Sequence, residues 1–394
     1  MIISGQFNDS LAPIMDGVAI TVQNYVQWLN KSHAPSFAIG PKVHNFKDTD
    51  YHILRYKTLP LHISGPYRLG VPRIDRSFNN RIGLIPFDIV HAHCPFVSGN
   101  YALSLSRKRK IPLVATFHSK YREDFASWLR LDATLDQVVS MIIRFYELAD
   151  SVWVPNEDII ETLREYGYRG PIEYVPNGSD IALDENENIQ VVKDEGLKIL
   201  KCDPLIPVLL YVGQLRWVKN IRLILDSLKL LSERNIQFQM RFVGTGADKE
   251  KMEELVSQYK LNNQISFSGP IYDRHQLKKI YAAADIFIFP SLYDNASLAT
   301  REAAGLTVPT IFVEGATTAN GIRDGINGYI SRGDTLSFSE KIETLLSKTD
   351  SLRSVGLEAK NSHYMPWEKI VSTVYEKYNV IVDKFKYEHL KRIF

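Results

Sequence analysis

The stretch from Ala284 to Gly328 constrains the fold of this chain more than any other part of the sequence. Ile286 to Phe289 is a short apolar run, which is typical of a strand buried on both faces of a parallel sheet. A helical run follows and ends near Gly305, and Pro309 to Val313 then has the pattern of a second buried strand. Residues that commonly cap a helix lie between the first strand and the helix: Asp294, Asn295 and Ser297. The sequence therefore predicts a β-loop-α-β unit whose helix begins at the carboxyl end of a strand, where unpaired N–H groups favour an anionic ligand.

Two acidic residues, Asp294 and Glu302, lie eight residues apart in this unit. If a helix spans most of that spacing, roughly 10–12 Å separates the two carboxylates. This is about the length of a nucleotide-diphosphate sugar between its hexose and its ribose. One acid could then bind sugar hydroxyls and the other ribose hydroxyls, with helix amides binding phosphate between them. The alternative is a capping aspartate and a solvated helical glutamate, which occur in any α/β protein.

Length and composition limit the class of protein. The 394 residues exceed what one ordinary hydrophobic core accommodates and fit two domains. A net charge of +2 argues against a dedicated nucleic-acid-binding protein, because phosphate contacts need a large basic excess. Cys94 and Cys202 are too few for a disulfide framework or a zinc site. We find neither a signal peptide nor an apolar segment of about 18–20 residues, so we expect a cytoplasmic protein.

Several other polar or glycine residues come directly after predicted strands or before predicted helices. Gly17 precedes a predicted helix, where a glycine lets the backbone approach a ligand closely. Leu113 to Phe117 is a predicted strand that ends at His118, and Val208 to Val212 is another that ends at Gly213. An ordinary tight turn at Gly17 and a core or surface position for His118 are the alternatives.

Two short motifs are formally compatible with metal binding, but we expect neither to bind a metal. His91 and His93 lie two residues apart at the end of a predicted strand, and we expect their side chains to point to opposite faces. Asp48 and Asp50 form an Asp-x-Asp pattern between polar residues, which favours a solvated turn.

These motifs, in this order, resemble those of the retaining glycosyltransferases of family 4. The resemblance includes DIVHAHCPF, IPLVATFHSKY and a Pro-Asn-Gly, and it extends to the two acids of the helical unit. The family carries two glutamates separated by seven residues, and here Asp294 replaces the first whereas Glu302 matches the second. Ala296 and Ser297 replace the family's Phe-Gly, and Gln214 replaces its arginine.

The resemblance implies an α/β chain of the GT-B fold, in which two Rossmann-like parallel-sheet domains face each other across a cleft. We expect an N-terminal, acceptor-side domain over residues 1–178 and a linker over 179–206. The nucleotide-sugar domain is then expected over 207–365, and the C-terminal helices at 366–394 are expected to cross back to the first domain.

The resemblance also implies roles for individual residues. His118 would lie beside the donor sugar, Asp294 would hold the hexose, and Lys219, with Arg216, would neutralise the departing diphosphate. Glu302 would hold the ribose and Ile271 would contact the base. The remaining expected donor-binding residues are Gly17, Gly213, Asn295, Ser297 and Leu298. The family's chemistry implies no metal ion and no cofactor besides the nucleotide sugar.

The expected activity is transfer of a hexose, with a UDP-sugar as donor, to a hydroxyl acceptor. The pattern IMDGVAITVQNYVQWL followed by DIVHAHCPF is similar to that of diacylglycerol glucosyltransferases. A basic, aromatic segment from Arg55 to Arg81 could contact an anionic membrane surface on the inner face of the plasma membrane, or could be a long solvated loop. A polyprenyl-linked or polysaccharide acceptor is one alternative, and a non-catalytic partner subunit is another.

Overall fold

The chain divides into two compact units. The first comprises Met1–Gly178 together with Trp367–Phe394, and the second comprises Ser179–Pro366. The chain therefore passes between the units twice, and the first unit is discontinuous in sequence. The structure, a computed structural model, describes residues 1–14, 16–64, 67–126, 132–184 and 186–391.

The first unit is built on a parallel sheet. Its order is β3-β2-β1-β6-β7-β8-β9, and β4 and β5 form a separate antiparallel pair. Strands β1, β6 and β7 are buried along their whole length, as expected of short strands covered on both faces. The strands of the unit are β1 (Ser4–Phe7), β2 (Ser36–Pro41), β3 (Ile53–Tyr56), β4 (Thr58–Ser64), β5 (Tyr67–Gly70), β6 (Ile89–Ala92), β7 (Leu113–Thr116), β8 (Ser151–Val154) and β9 (Glu173–Tyr174). Its helices before residue 178 are α1 (Gly17–Ser32), α2 (Arg76–Gly83), α3 (Val97–Arg109), α4 (Tyr121–Ala126), α5 (Asp132–Glu147) and α6 (Ile159–Glu165).

The segment from Arg55 to Arg81 is not a long solvated loop. It contains the end of β3, the β4-β5 pair and most of α2. Arg55 is buried, and its Nε donates to Oδ2 of Asp48 at 2.7 Å while its Nη1 donates to the carbonyl oxygen of Pro41 at 2.9 Å. Arg55 therefore stabilises the first unit and is not available to a membrane surface. The side chains of residues 60–67 lie outside the described residues.

The second unit contains a six-stranded parallel sheet in its described residues. The order β12-β11-β10-β13-β14-β15 places β10 and β13 side by side at the point where the strand order reverses. Open α/β sheets bind ligands at this point, beyond the carboxyl ends of the strands. The strands are β10 (Val208–Val212), β11 (Gln239–Val243), β12 (Ile265–Phe267), β13 (Ile286–Phe289), β14 (Thr310–Val313) and β15 (Tyr329–Ser331). The helices are α7 (Ile189–Leu200), α8 (Ile221–Glu233), α9 (Lys249–Gln258), α10 (Arg274–Ala283), α11 (Leu298–Gly305), α12 (Thr335–Ser347) and α13 (Thr349–His363).

Residues 179–206, expected to be a linker, belong to the second unit. Helix α7 packs on α10 so closely that a Cβ atom at Gly196 would lie 1.9 Å from the carbonyl oxygen of Lys279. Val192, Leu197 and Leu200 are buried in the hydrophobic core of this unit. The prediction of a linker is therefore wrong, because the apolar face of α7 needs the same core as the sheet.

The last helix, α14 (Trp367–Lys391), belongs to the first unit. Tyr378 is fully buried and its ring stacks on that of Trp153 in β8, with centroids 5.6 Å apart. Trp367 is also buried, and its ring packs against that of Tyr25 in α1 at 5.9 Å. The C-terminal helix thus completes the core of the unit that the N-terminal residues begin.

Two valines of α14 provide a matched test of this packing. Val382 is 2% exposed and Val380 is 68% exposed. Val382→Ala should lower the free energy of unfolding of the first unit by about 2 kcal/mol, because it removes buried methyl groups. Val380→Ala should change it by less than about 0.5 kcal/mol. Urea unfolding followed by tryptophan fluorescence measures both variants, and equal effects would contradict the packing of α14 described here.

Candidate active site

The carboxyl ends of three strands in the second unit are joined by backbone hydrogen bonds between residues at or just after the strand ends. Gly213, after β10, donates to the carbonyl oxygen of Val243, and Gly244, after β11, donates to that of Gly269 at 2.8 Å. Gly244 has a φ of +140°, and a Cβ atom there would lie 2.0 Å from the carbonyl oxygen of Gly213. Only glycine permits this close approach, so the loops form a fixed edge around Gly213.

Lys219 and Asp294 meet at this edge of the second unit. Lys219 ends a short 3-10 turn after β10, and Asp294 follows β13, the neighbouring strand. Nζ of Lys219 donates to Oδ1 of Asp294 at 2.5 Å, and the two side chains are 10% and 24% exposed. A largely buried cation thus faces a partly exposed carboxylate.

The loop that carries Asp294 is held by the hydroxyl group of Ser291, and its Tyr293 ring contacts Lys219. Oγ of the buried Ser291 accepts hydrogen bonds from the N–H groups of Tyr293 and Asp294, both at 3.3 Å. Nζ of Lys219 also lies 4.6 Å from the centre of the Tyr293 ring, which favours its positive charge. Burial, and then the Asp294 carboxylate, raise the pKa of Tyr211 well above its usual range, so this phenol stays protonated and donates to the carbonyl oxygen of Gln214 at 3.0 Å.

The helix between the two acids is shorter than the spacing suggested. Helix α11 begins at Leu298, so Asp294 and Asn295 lie in the preceding loop and only Glu302 is helical. The estimated separation assumed a helix over most of this interval, and that assumption is wrong. Ser297 occupies the N-cap position, but its side chain makes no capping hydrogen bond. The first backbone N–H groups of α11 therefore do not donate a hydrogen bond to the Ser297 side chain.

Glu302 is a buried carboxylate with two partners that its sequence pattern does not indicate. Oε1 accepts a hydrogen bond from Nη2 of Arg274 at 2.6 Å, and Oε2 accepts one from the hydroxyl of Tyr281 at 2.7 Å. Arg274 also pairs with Asp180, with Nε 3.0 Å from Oδ2. Desolvation opposes the charge on Arg274, but the carboxylates of Glu302 and Asp180 outweigh it and raise the pKa of this guanidinium above its ordinary value. Burial and Glu302 raise the pKa of Tyr281 well above its usual range, which keeps it a donor.

The other expected donor-binding residues of the second unit have less distinctive surroundings. Asn295 is buried, whereas Ile271 is partly buried and packs against the hydrophobic core. Arg216, expected to compensate for Gln214, is exposed, as is Gln214. Within the described residues Arg216 forms no ion pair, so Lys219 is the cation that the structure places beside Asp294.

In the first unit, Gly17 is the first residue of α1. It is exposed, and a Cβ atom at this position would meet no atom within 4 Å. Asp16 is the N-cap, and its Oδ1 accepts a hydrogen bond from the N–H group of Ala19 at 2.7 Å. The space around Gly17 is therefore open to a ligand, and no neighbouring atom of the described residues demands a glycine.

His118 follows β7 and lies beside two further histidines. The rings of His91 and His93 stack with centroids 4.1 Å apart, and those of His93 and His118 stack at 5.5 Å. The prediction that His91 and His93 point to opposite faces is wrong, because side chains alternate along a strand with a period of two and residues two apart therefore share a face. The three imidazoles form one cluster at the carboxyl edge of this sheet.

The structure gives the two formal metal motifs other partners. Asp48 pairs with Arg55, and Oδ1 of Asp50 accepts from the N–H group of His52 at 2.8 Å. Nδ1 and Nε2 of His91 lie within hydrogen-bond distance of Tyr378 and Thr116. In the described part of the chain, no group of three or more His, Cys, Asp or Glu side chains is arranged to hold a metal ion.

The arrangement in the second unit is suited to binding an anionic ligand with hydroxyl groups. A buried lysine supplies positive charge, and carboxylates on either side of the start of α11 supply acceptors for hydroxyl groups. The sequence does not identify Arg274 and Tyr281 as partners of Glu302, because both belong to α10, whose pattern indicates only an amphipathic helix. Among the described residues, no helix is both long enough and apolar enough to cross a bilayer.

Two protein families match this chain. Glycosyltransferase Family 4 matches residues 15–183, and Glycosyl transferases group 1 matches residues 197–362. The alpha-monoglucosyldiacylglycerol synthase of Streptococcus pneumoniae is 23% identical over 356 residues, which cover 88% of this chain and 79% of that protein.

Solved structures share the fold. Sucrose-phosphate synthase from Thermosynechococcus elongatus superposes with a TM-score of 0.80 at 19% identity, covering 98% of this chain and all of that one (100%). Anabaena HepE, solved in complex with UDP-glucose, gives a TM-score of 0.73 at 15% identity, covering 96% of this chain and 100% of that one. The two family matches follow one another along most of the sequence, and each unit has the parallel sheet that the GT-B fold requires. The chain therefore belongs to family 4 of the glycosyltransferases and has the GT-B fold.

Proposed function

We propose that this chain is a retaining hexosyltransferase that moves a hexose from a UDP-sugar to a hydroxyl acceptor. The observation that carries the proposal is the Lys219–Asp294 pair beside β10 and β13, with Glu302 further along the same β-loop-α unit. The UDP-glucose complex of HepE supports a UDP-sugar as the donor.

Lys219 is proposed to stabilise the departing diphosphate. Its ammonium group is largely buried, and charge interactions strengthen where water is excluded. In the absence of donor, the Asp294 carboxylate balances the charge of Lys219. A bound diphosphate would balance part of this charge instead. Asp294 is then able to accept hydrogen bonds from hexose hydroxyls. The amides of Ser297 and Leu298 would add donors to the phosphate oxygens.

Glu302 is proposed to bind the ribose hydroxyls. Arg274 and Tyr281 each use one of its carboxylate oxygens. Each oxygen has a second lone pair, so both can accept a further hydrogen bond from a hydroxyl group. The two partners fix the carboxylate, which lowers the entropic cost of holding the ribose.

For the reaction we propose attack on the same face of the sugar from which the diphosphate leaves. The bond between the anomeric carbon and the β-phosphate oxygen breaks, and the acceptor oxygen forms the new glycosidic bond. The acceptor proton passes to an oxygen of the departing diphosphate. Lys219 balances the negative charge that develops there. His118, by the family resemblance, contacts the donor sugar. Isolation of a hexose covalently bound to a side chain of the enzyme would contradict this route.

As acceptor we propose a membrane glycolipid precursor such as diacylglycerol. The alpha-monoglucosyldiacylglycerol synthase similarity supports this class of acceptor. The first unit also exposes cations around α2: Lys57, Arg73 and Arg76. Exposed cations favour contact with an anionic lipid surface, which would place the enzyme peripherally on the inner face of the plasma membrane.

Lys219→Met should reduce kcat for release of UDP from the donor by about 10²–10³-fold, since one charged donor to the leaving group is lost. Lys251→Met is the matched control, because Lys251 is 70% exposed and should tolerate the change without loss of kcat. Turnover of a panel of nucleotide sugars by the purified protein measures both. Equal activity of the two variants would contradict the role of Lys219. If the wild-type chain neither turns over nor binds any donor in calorimetry, that result would favour a non-catalytic partner subunit.

Glu302→Gln should reduce the preference for UDP over its 2′- and 3′-deoxy analogues. A hydrogen bond to a charged group contributes about 1.5–3 kcal/mol, so we expect roughly 10–100-fold discrimination in the wild-type protein and far less in the variant. Calorimetry gives the Kd values, with Glu340→Gln on the exposed face of α12 as the control. Undiminished discrimination in Glu302→Gln would assign the ribose to another residue.

Transfer assays with lipid vesicles distinguish diacylglycerol from the alternative acceptors. Diacylglycerol in anionic vesicles should yield a glycolipid product, and raising the salt concentration should lower the rate by screening the exposed cations. Arg73→Gln with Arg76→Gln should weaken vesicle binding while leaving hydrolysis of the donor in solution unchanged. Transfer to a polyprenyl-linked or polysaccharide acceptor, with none to diacylglycerol, would refute the lipid assignment but preserve the transferase.

A further inference from the structure

The turn that carries Lys219 is attached to a neighbouring loop at its first residue. Trp217–Lys219 forms a single 3-10 turn between β10 and α8. The N–H group of Trp217 donates to Oδ2 of Asp248 at 3.0 Å, and Asp248 is the N-cap residue of α9, the helix after the neighbouring strand β11. The start of the turn is therefore fixed, whereas its end, where Lys219 lies, requires an attachment of its own.

Asn220 provides this second attachment. It follows the turn directly, and its side-chain Nδ2 donates to the carbonyl oxygen of Pro290 at 3.2 Å. A carbonyl oxygen can only accept, so the NH₂ group of the amide must be the one that faces Pro290. Pro290 is buried and comes directly after β13. Asn220 thus joins the loop that carries Lys219 to the loop that carries Asp294.

The side chain of Asn220 does not have the usual role of an asparagine at a helix start. Asn220 is the N-cap residue of α8, where an asparagine ordinarily accepts a hydrogen bond from one of the first N–H groups of the helix. Here the backbone is left-handed, with φ +58° and ψ +30°, and the side chain makes no capping hydrogen bond. Asparagine adopts this conformation more readily than most residues. The helix therefore lacks a cap, and the amide bonds the neighbouring loop instead.

The carbonyl group of Pro290 belongs to the same fixed loop as Asp294. Pro290 precedes Ser291, whose buried hydroxyl accepts hydrogen bonds from the N–H groups of Tyr293 and Asp294. The two loops are consequently joined twice, by the ion pair of Lys219 with Asp294 and by the hydrogen bond of Asn220 with Pro290. The first link depends on charge, whereas the second joins two neutral groups.

A donor diphosphate would weaken the first link but not the second. The diphosphate balances part of the Lys219 charge, so the ion pair with Asp294 loosens when the lysine is required in a fixed position. We propose that Asn220 is a positioning residue, which keeps Lys219 in place while the bond between the hexose and the diphosphate breaks. This role rests on the proposed function, in which Lys219 stabilises the departing diphosphate. Charge stabilises a transition state best when its position is set beforehand.

Asn220→Gly removes the amide donor and keeps the left-handed backbone, which glycine adopts without strain. We expect kcat for release of UDP to fall about 3–10-fold, the effect of one neutral hydrogen bond. KM for the donor should change less than about twofold, because a more mobile lysine still meets the diphosphate in the ground state. Turnover of the nucleotide sugar by the full chain measures both quantities, and an unchanged kcat would overturn the proposal.

Asn235→Gly is the matched control. Asn235 also has a positive φ, +62°, and it lies just beyond the other end of α8, where it is exposed. The same substitution in the same backbone conformation should therefore leave kcat unchanged. An equal decrease of kcat in Asn220→Gly and Asn235→Gly would mean that a more mobile end of α8 is sufficient, and this result would contradict a specific role for Asn220.

Combination with Lys219→Met distinguishes positioning from a purely structural role. If Asn220 acts through Lys219, then Asn220→Gly should lower kcat no further once residue 219 is methionine, because two changes that act on one contact are not additive. The same decrease of kcat in both backgrounds would show that Asn220 acts by another route and would overturn the proposal.

Hydrogen exchange tests the attachment without any substrate. The N–H groups of Lys219 and Asn220 donate to the carbonyl oxygens of Arg216 and Trp217, and peptides that contain them are followed by mass spectrometry. Asn220→Gly should reduce protection there more than Asn235→Gly reduces it around residue 235, which measures the freedom of glycine alone. Equal decreases would overturn the attachment, even in an active enzyme.

The outcomes separate this inference from the proposed function. A loss of kcat in Lys219→Met, with none in Asn220→Gly, would overturn only the role of Asn220. If exchange is faster in Asn220→Gly but Lys219→Met retains full kcat, the proposed function of Lys219 is refuted and the catalytic role of Asn220 with it, whereas the link between the two loops stands.

Discussion

Parallel strand pairing is the constraint on which the rest of this structure depends. Within the described residues, both large sheets are wholly parallel, so all their strands end at one edge. In the second unit this brings the loops after β10 and β13 together and with them Lys219 and Asp294. In the first unit it brings Gln6, His93 and His118 into one hydrogen-bonded chain. Residues far apart in sequence thus become neighbours because the strands that carry them end at the same edge of a sheet.

The charges at the edge of the second sheet are paired before any ligand binds. Lys219 pairs with Asp294, and Arg274 pairs with Glu302 and Asp180. A buried ion left without a partner is costly, so each pair stabilises a group that would otherwise be unfavourable in this position. The first unit contrasts with this arrangement, since its histidine cluster holds neutral groups in fixed orientations. Ion pairs thus stabilise the side chains at the edge of the second sheet, whereas hydrogen bonds between neutral groups orient those at the edge of the first.

The sequence was sufficient for features that depend on short apolar runs and on residues next to them. The strands β6, β7, β10 and β13 and the family itself were predicted from such local patterns, and the family matches confirm the resemblance. Other features, which depend on tertiary contacts and which the family resemblance does not imply, could not be predicted. The sequence pattern of α7 indicated a linker because the residues of α10 on which it packs are distant in sequence. The pattern around Arg274 indicated no buried ion pair because its carboxylate partners are also distant in sequence. The stacking of His91 and His93, by contrast, follows from the two-residue period of strand side chains, which places both rings on one face.

The discontinuity of the first unit has a consequence for how the protein is made. During synthesis an N-terminal domain ordinarily folds before the residues after it have appeared. Here the core of the first unit needs Trp367 and Tyr378, which leave the ribosome after the whole of the second unit. The second unit is contiguous, so it can fold first. Until α14 emerges, the nascent first unit exposes the apolar surface that this helix will cover, and a chaperone that shields this surface would act on this protein throughout most of its translation.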